Sequence, residues 1–182
     1  MKKKFLALFF LVGIVLFSFF SVSFVYSLGT PTKISTTTTN NTVFPQTATD
    51  SKGYLHMLWM EVLLIDCSGF FCTNIWGSYQ NTGIFYSRWN GDTWSTPLKI
   101  SANTGFAQLP SIAAGNDDTI HVVFDDTTYA GDGLQSVAYK TRNSSGTWSA
   151  IEVLTRPAGT LNSWNARVAA DNTNAPNVVF TA

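Results

Sequence analysis

Charge is sparse in this chain, and histidine and cysteine are sparser still. Only 12% of the 182 residues are charged, with 11 basic against 11 acidic side chains, two histidines and two cysteines. No basic stripe is present to mark a nucleic-acid or anionic-lipid surface. Cys67 and Cys72 lie close together in DCSGFFC, and no second Cys or His pair stands at ligand spacing beside them. A local disulfide is therefore expected on an exported chain, with a metal pair as the alternative. No cofactor and no metal site is expected. Past Ser27 no stretch carries a helical period, which leaves an all-β chain.

What is present begins with Lys2, Lys3 and Lys4, followed by an uncharged apolar run from Phe5 to Val25. That is the pattern of an export signal, here residues 1–27, either cut after Ser27 or retained as an anchor. The expected location is secreted or extracytoplasmic, with the membrane met only through this segment. Residues 28–182 keep 8 basic against 11 acidic side chains, a net charge of −3.

The remainder repeats itself. Pro45, Pro110 and Ala166 fall at matching places, as do His56, His121 and Asn177, giving periods of 65 and 56 residues. Such a period signals a modular architecture. Each complete unit divides into four short strand-like runs: about 44–49, 54–60, 84–88 and 94–100 in the first, and 109–114, 119–124, 136–141 and 148–154 in the second. A third unit supplies only two runs, near 167–170 and 176–181. The first two runs of each unit are joined by DSKG, GNDD and DNTN, links suited to tight hairpins. The second runs, LHMLWM and IHVVF, are apolar on both faces, which requires cover on both sides of the sheet.

Four-stranded antiparallel sheets stacked face to face and repeated radially make a β-propeller; a β-sandwich is the alternative, but it gives no reason for a four-strand repeat. The segment GTPTKIS, residues 29–35, matches STPLKIS and SAIEVLT, the fourth runs of the two units, and is expected to be a closing strand. Blade 1 is then 43–101, blade 2 is 109–155, and 165–182 starts a third. About two and a half blades cannot close a ring of 4 to 8. The expectation is a piece of a longer reading frame, or self-association through open blade edges.

Between third and fourth runs stand SRWNGDTW (87–94) and TRNSSGTW (141–148). These resemble the Asp-box, S-x-D-x-G-x-T-W, of sialidase-like (BNR-repeat) propellers. The first matches at Ser87, Gly91, Thr93 and Trp94, with Trp89 at the aspartate position. The second keeps Thr147 and Trp148, with Thr141, Asn143 and Ser145 as substitutes. In that family the turn is structural, a polar side chain folding back on backbone N–H groups while tryptophan wedges between blades. The resemblance implies a propeller and, as one option, an exo-sialidase-like glycoside hydrolase. Family sialidases bind the substrate carboxylate with arginines, the first in Phe-Arg-Ile-Pro; here the stretch reads Thr42-Val43-Phe44-Pro45. The arginine is missing, which weakens the enzyme reading. The only arginines are Arg88, Arg142, Arg156 and Arg167.

In a propeller the second-to-third connections and the links between units share one face, the expected ligand surface. Trp76, Tyr79, Tyr129, Arg156 and Trp164 fall there, where aromatic rings suit stacking on a sugar or anchoring a protein partner. Asp125, Asp126 and Asp132 are the weak catalytic candidates on the same face. His56 and His121 sit within apolar runs and are expected to make structural hydrogen bonds. Three functions remain open: an exported glycan- or protein-binding module, a truncated glycosidase, and a surface scaffold.

Overall fold

The computed structural model describes residues 32–35, 41–64, 79–129, 134–155 and 162–182. By its contacts the chain divides into Met1–Thr32 and Lys33–Ala182. Only Thr32 of the first unit is described, and all the strands belong to the second.

The described residues hold ten strands and no helix: β1 (Asn41–Thr49), β2 (Leu55–Leu64), β3 (Tyr79–Trp89), β4 (Leu98–Lys99), β5 (Ala107–Ala114), β6 (Ile120–Asp126), β7 (Ser136–Arg142), β8 (Glu152–Val153), β9 (Trp164–Ala170) and β10 (Pro176–Thr181). They form two four-stranded sheets in simple order, β1-β2-β3-β4 and β5-β6-β7-β8, and a two-stranded sheet of β9 and β10. Every pairing is antiparallel, and the sheets are open. The described residues adopt the all-β architecture read from the sequence, with four antiparallel strands in each of the two complete units. Of the expected closing strand, 29–31 lie outside the described residues, and Thr32–Ser35 belong to none of the ten strands.

The fourth strands are shorter than their sequence suggests. After an isolated bridge, Trp89 to Trp94 or Arg142 to Trp148, pairing lapses until two-residue strands form. The physical reason is a pair of serines. Ser95 Oγ accepts from Arg88 N at 3.0 Å, and Ser149 Oγ accepts from Thr141 N at 3.0 Å. At the far end Ser101 Oγ accepts from Ile84 N at 3.1 Å and Thr155 Oγ1 from Val137 N at 3.0 Å. Hydroxyls stand in for strand carbonyls, so the third strands stay satisfied while the fourth strands detach.

Each first strand also carries a β-bulge at the same height. Phe44, Leu109 and Asn165, one residue before Pro45, Pro110 and Ala166, take φ of 54°, 50° and 56°. The register slips there in all three units: between Val43 and Gln46, between Gln108 and Ser111, and opposite Val179 and Thr181. Left-handed backbone in a bulky residue costs about 1–2 kcal/mol. Its recurrence means that the unit is built around this bend, which sharpens strand twist.

Successive sheets stack. Strand β5 packs on β1, β2 and β3, and β9 packs on β5, β6 and β7. Alternate residues of β6, the second strand of the middle sheet, point to opposite neighbours. Leu58, Met60 and Val62 meet Val122 and Phe124 between the first two sheets, while Val123 and Val137 meet Ala166, Val168 and Val178 between the next two. Leu58, Ile84, Ile120, Val122, Val123 and Phe124 are buried completely, each worth about 1.5–3 kcal/mol.

Candidate functional site

In an antiparallel meander the first and third turns of each unit gather at one end of the sheets. The second turn and the links between units gather at the other.

At the first end the hairpins are fastened by carboxylates and amides. Asp50 Oδ1 accepts from Lys52 N and Tyr54 N at 3.0 and 2.9 Å, and Asp171 Oδ1 accepts from Thr173 N and Ala175 N at 2.8 and 3.0 Å. The SRWNGDTW and TRNSSGTW turns close in the same manner. Asn143 Oδ1 accepts from Thr147 N at 2.8 Å, and Gly146 takes φ of 96°. In the shorter first turn Asn90 plays this part, its Oδ1 accepting from Asp92 N and Thr93 N at 3.0 and 2.8 Å, with Gly91 at φ 100°. The fold thus aligns Asn90 with Asn143, a match hidden by the one-residue difference in length. Ser87 donates to Ser95 O at 2.7 Å. Trp148 lies half-buried against the first core with its ring on Tyr86, whereas Trp94 meets Trp89 of its own turn.

Both histidines are buried, each bonded through Nδ1 to a third-strand tyrosine hydroxyl at 2.7 Å: His56 to Tyr86 and His121 to Tyr139. His56 Nε2 also meets Asp50 Oδ2 at 3.1 Å. Burial depresses the pKa of both rings. The neutral His56 therefore donates from Nε2 to Asp50 and accepts at Nδ1 from Tyr86.

At the opposite end, Asp125 and Asp126 are fully buried but do not form a pair. Neighbours on a strand face opposite ways. Asp125 faces the third sheet, where Oδ2 accepts from Asn165 N at 2.8 Å and Oδ1 from Ala166 N at 3.5 Å. It braces the β9 bulge. Burial pushes its pKa up to about 6, against the pull of those two N–H groups and Arg167. Asp126 lies on the other face, where Oδ1 accepts from Thr128 N at 2.7 Å. Burial raises its pKa too, with the Thr128 bonds and Lys99 opposing.

Two loops are clamped around this second carboxylate. Thr127 N donates to Phe106 O at 3.1 Å, Phe106 N to Thr127 Oγ1 at 2.9 Å, and Thr128 Oγ1 to Thr104 O. Gly105, at φ 81°, lets the strands come this close, because a Cβ there would collide with Thr128 Oγ1. Asp126 Oδ2 and the hydroxyl of Ser136, directly across on β7, are buried and have no hydrogen-bond partner among the described residues. Tyr129 packs half-buried beside the core at this end. Trp164, 46% exposed, opens β9.

Of the remaining candidates, Trp76, Asp132, Arg156, Cys67 and Cys72 lie outside the described residues. Tyr79 opens β3, paired with Leu64. Among the described residues no three His, Cys, Asp or Glu side chains converge as a metal cluster, and no helix is long and apolar enough to cross a membrane. Sequence reading missed Asn90, Ser136 and the Asp50 bond to His56. Of these only Asp50 carried a signal, as the one hairpin-opening aspartate in a unit whose histidine follows six residues later.

No protein-family model matches the chain, and no curated protein matches it.

Proposed function

We propose that the sheets are blades of a β-propeller in an exported module that binds a glycan, or a protein surface, at the loop end of the blades. The stacking of β5 on β1 and of β9 on β5 places equivalent first strands side by side, which supports radial order. The lysine-led apolar N-terminus supports export.

One observation carries the binding reading: Trp164, a large aromatic ring at the loop end where β9 begins, stands 46% exposed. The apolar face of a sugar ring stacks on an exposed aromatic of this kind. The glycosidase reading loses ground because Asp125 is occupied in bracing β9 and faces away from Asp126. A hydrolase needs its two carboxyl groups flanking one bond.

A glycan array probed with the purified chain tests this. Saturable binding to a defined set of glycans, weakened at least about tenfold by Trp164→Ala, is the expected result. Binding that Trp164→Ala leaves unchanged, or no binding to any glycan or surface protein tried, would overturn it.

A further inference from the structure

The two complete units differ at one buried position. In the first, Asp50 opens the hairpin and its carboxylate meets His56 Nε2 at 3.1 Å. In the second, Gly115 stands in that place, and His121 Nε2, on a ring only 4% exposed, has no hydrogen-bond partner among the described residues. The His121 ring is held as His56 is, with Nδ1 on a tyrosine hydroxyl at 2.7 Å and its residue paired with a first-strand alanine, Ala113 here and Ala48 there. Nε2 is therefore aimed at the notch where Asp50 has its counterpart in Gly115.

Oxygen atoms line that notch. A Cβ on Gly115 would lie 2.8 Å from Asp117 Oδ1 and 3.2 Å from Asn174 Oδ1. Asp117 uses Oδ1 and Oδ2 for Thr119 N and Oγ1, both at 3.0 Å, which leaves lone pairs on each. Asn174 Oδ1 accepts from Asn116 N at 2.6 Å and from Asp117 N at 3.3 Å, which occupies both of its lone pairs. A carboxylate ligand would be repelled by Asp117. A cation meets the remaining lone pairs of Asp117 and, once Nδ1–H is directed to Tyr139, that of His121 Nε2, the arrangement in which a second hydrogen bond fixes a metal-binding imidazole.

We propose that the Gly115 notch binds one divalent cation of the zinc class, with His121 Nε2 and an Asp117 carboxylate oxygen as protein ligands, the Asn174 amide oxygen beside them, and water completing the shell. Borderline metals take this mix of imidazole nitrogen and carboxylate oxygen. The first unit lacks the site because Asp50 fills it.

The chain has only two histidines, so their ring resonances in NMR give a test with a built-in control. Titrating the full chain with zinc chloride is expected to shift the His121 signals to saturation at one equivalent and leave those of His56 unmoved. Asp117→Asn should weaken the affinity at least about tenfold. Gly115→Asp combined with Asp117→Lys, which copies Asp50 and Lys52 of the first unit, should abolish the shift while the protein stays folded, by giving His121 the carboxylate that His56 has without leaving Asp117 to repel it. No saturable shift at His121 up to millimolar zinc, or a shift that survives both substitutions, would overturn the proposal.

Discussion

Trp148 stands edge-on against the ring of Tyr86, their centroids 4.9 Å apart and their planes at 85°. The contact crosses from the second sheet to the first. Tyr86 is at the same time the hydroxyl partner of His56 and the ring beneath Arg142, whose guanidinium lies 5.7 Å from its centroid. One aromatic joint thus ties a surface turn, a buried histidine and two sheets together. Trp148→Ala is expected to cost about 3 kcal/mol in urea unfolding. Trp94→Ala, which loses only a contact within its own turn, should cost clearly less.

The left-handed residues of the bulges offer a stabilising change. Phe44 is 46% exposed and takes φ of 54°, whereas the third unit has Asn165 at the equivalent place. Asparagine tolerates this conformation far better than phenylalanine. Phe44→Asn should therefore raise stability by about 0.5–1 kcal/mol, read as a higher urea midpoint with an unchanged slope.

Asp118 joins neighbouring hairpins: its Oδ1 accepts from Ser51 N and Oγ at 3.0 and 2.7 Å, and its Oδ2 meets Lys52 Nζ at 2.8 Å. The lysine and serine bonds hold its pKa down to about 2, below the unfolded value of about 3.9. A depressed carboxylate stabilises above the unfolded pKa and loses that effect as pH falls through the folded one. Thermal unfolding should show this contribution vanish between about pH 4 and pH 2. Asp118→Asn should flatten that part of the profile.

Asp125 works in the opposite sense. Its folded pKa, raised to about 6 by burial, exceeds the unfolded value of about 3.9. The folded state then holds more proton than the unfolded state between these values, so stability falls as pH rises from about 4 to 6. Asp125→Asn should remove most of that slope while keeping an oxygen for Asn165 N. If the slope persists at full size in this variant, Asp125 is not its source.

Strand count, order and the hairpin ends could be read from the sequence because the repeat shows each unit twice or more. Alternation in IHVVF and the Asp/Asn/Gly links are local signals. The shortened fourth strands could not be read, because Ser95 and Ser149 act through hydroxyls at positions where any small polar residue would look alike. Asp125 and Asp126 were legible as loop-end carboxylates, but their division between two interfaces depends on strand parity and on a β9 bulge that only the fold displays. The Asn90 lock was obscured by assuming equal turn lengths. Gly115 read as an ordinary turn glycine, and its meaning appears only beside Asp50.

The hairpin links also have a direction. Asp118 of the second unit supplies the oxygen for Ser51 N of the first, and Asn174 of the third supplies it for Asn116 N of the second. In both links the left-handed residue of a later turn serves an earlier one; Gly53, at the corresponding place in the first unit, has no side chain to give. Unfastening therefore has a polarity. Loosening the third unit releases donors in the second, whereas loosening the first leaves later turns with their acceptors intact. Hydrogen exchange at Asn116 should report fraying of β9 and β10, while Asn172 stays indifferent to changes in β1 and β2. The array behaves as a row of units in which protection passes backward along the chain.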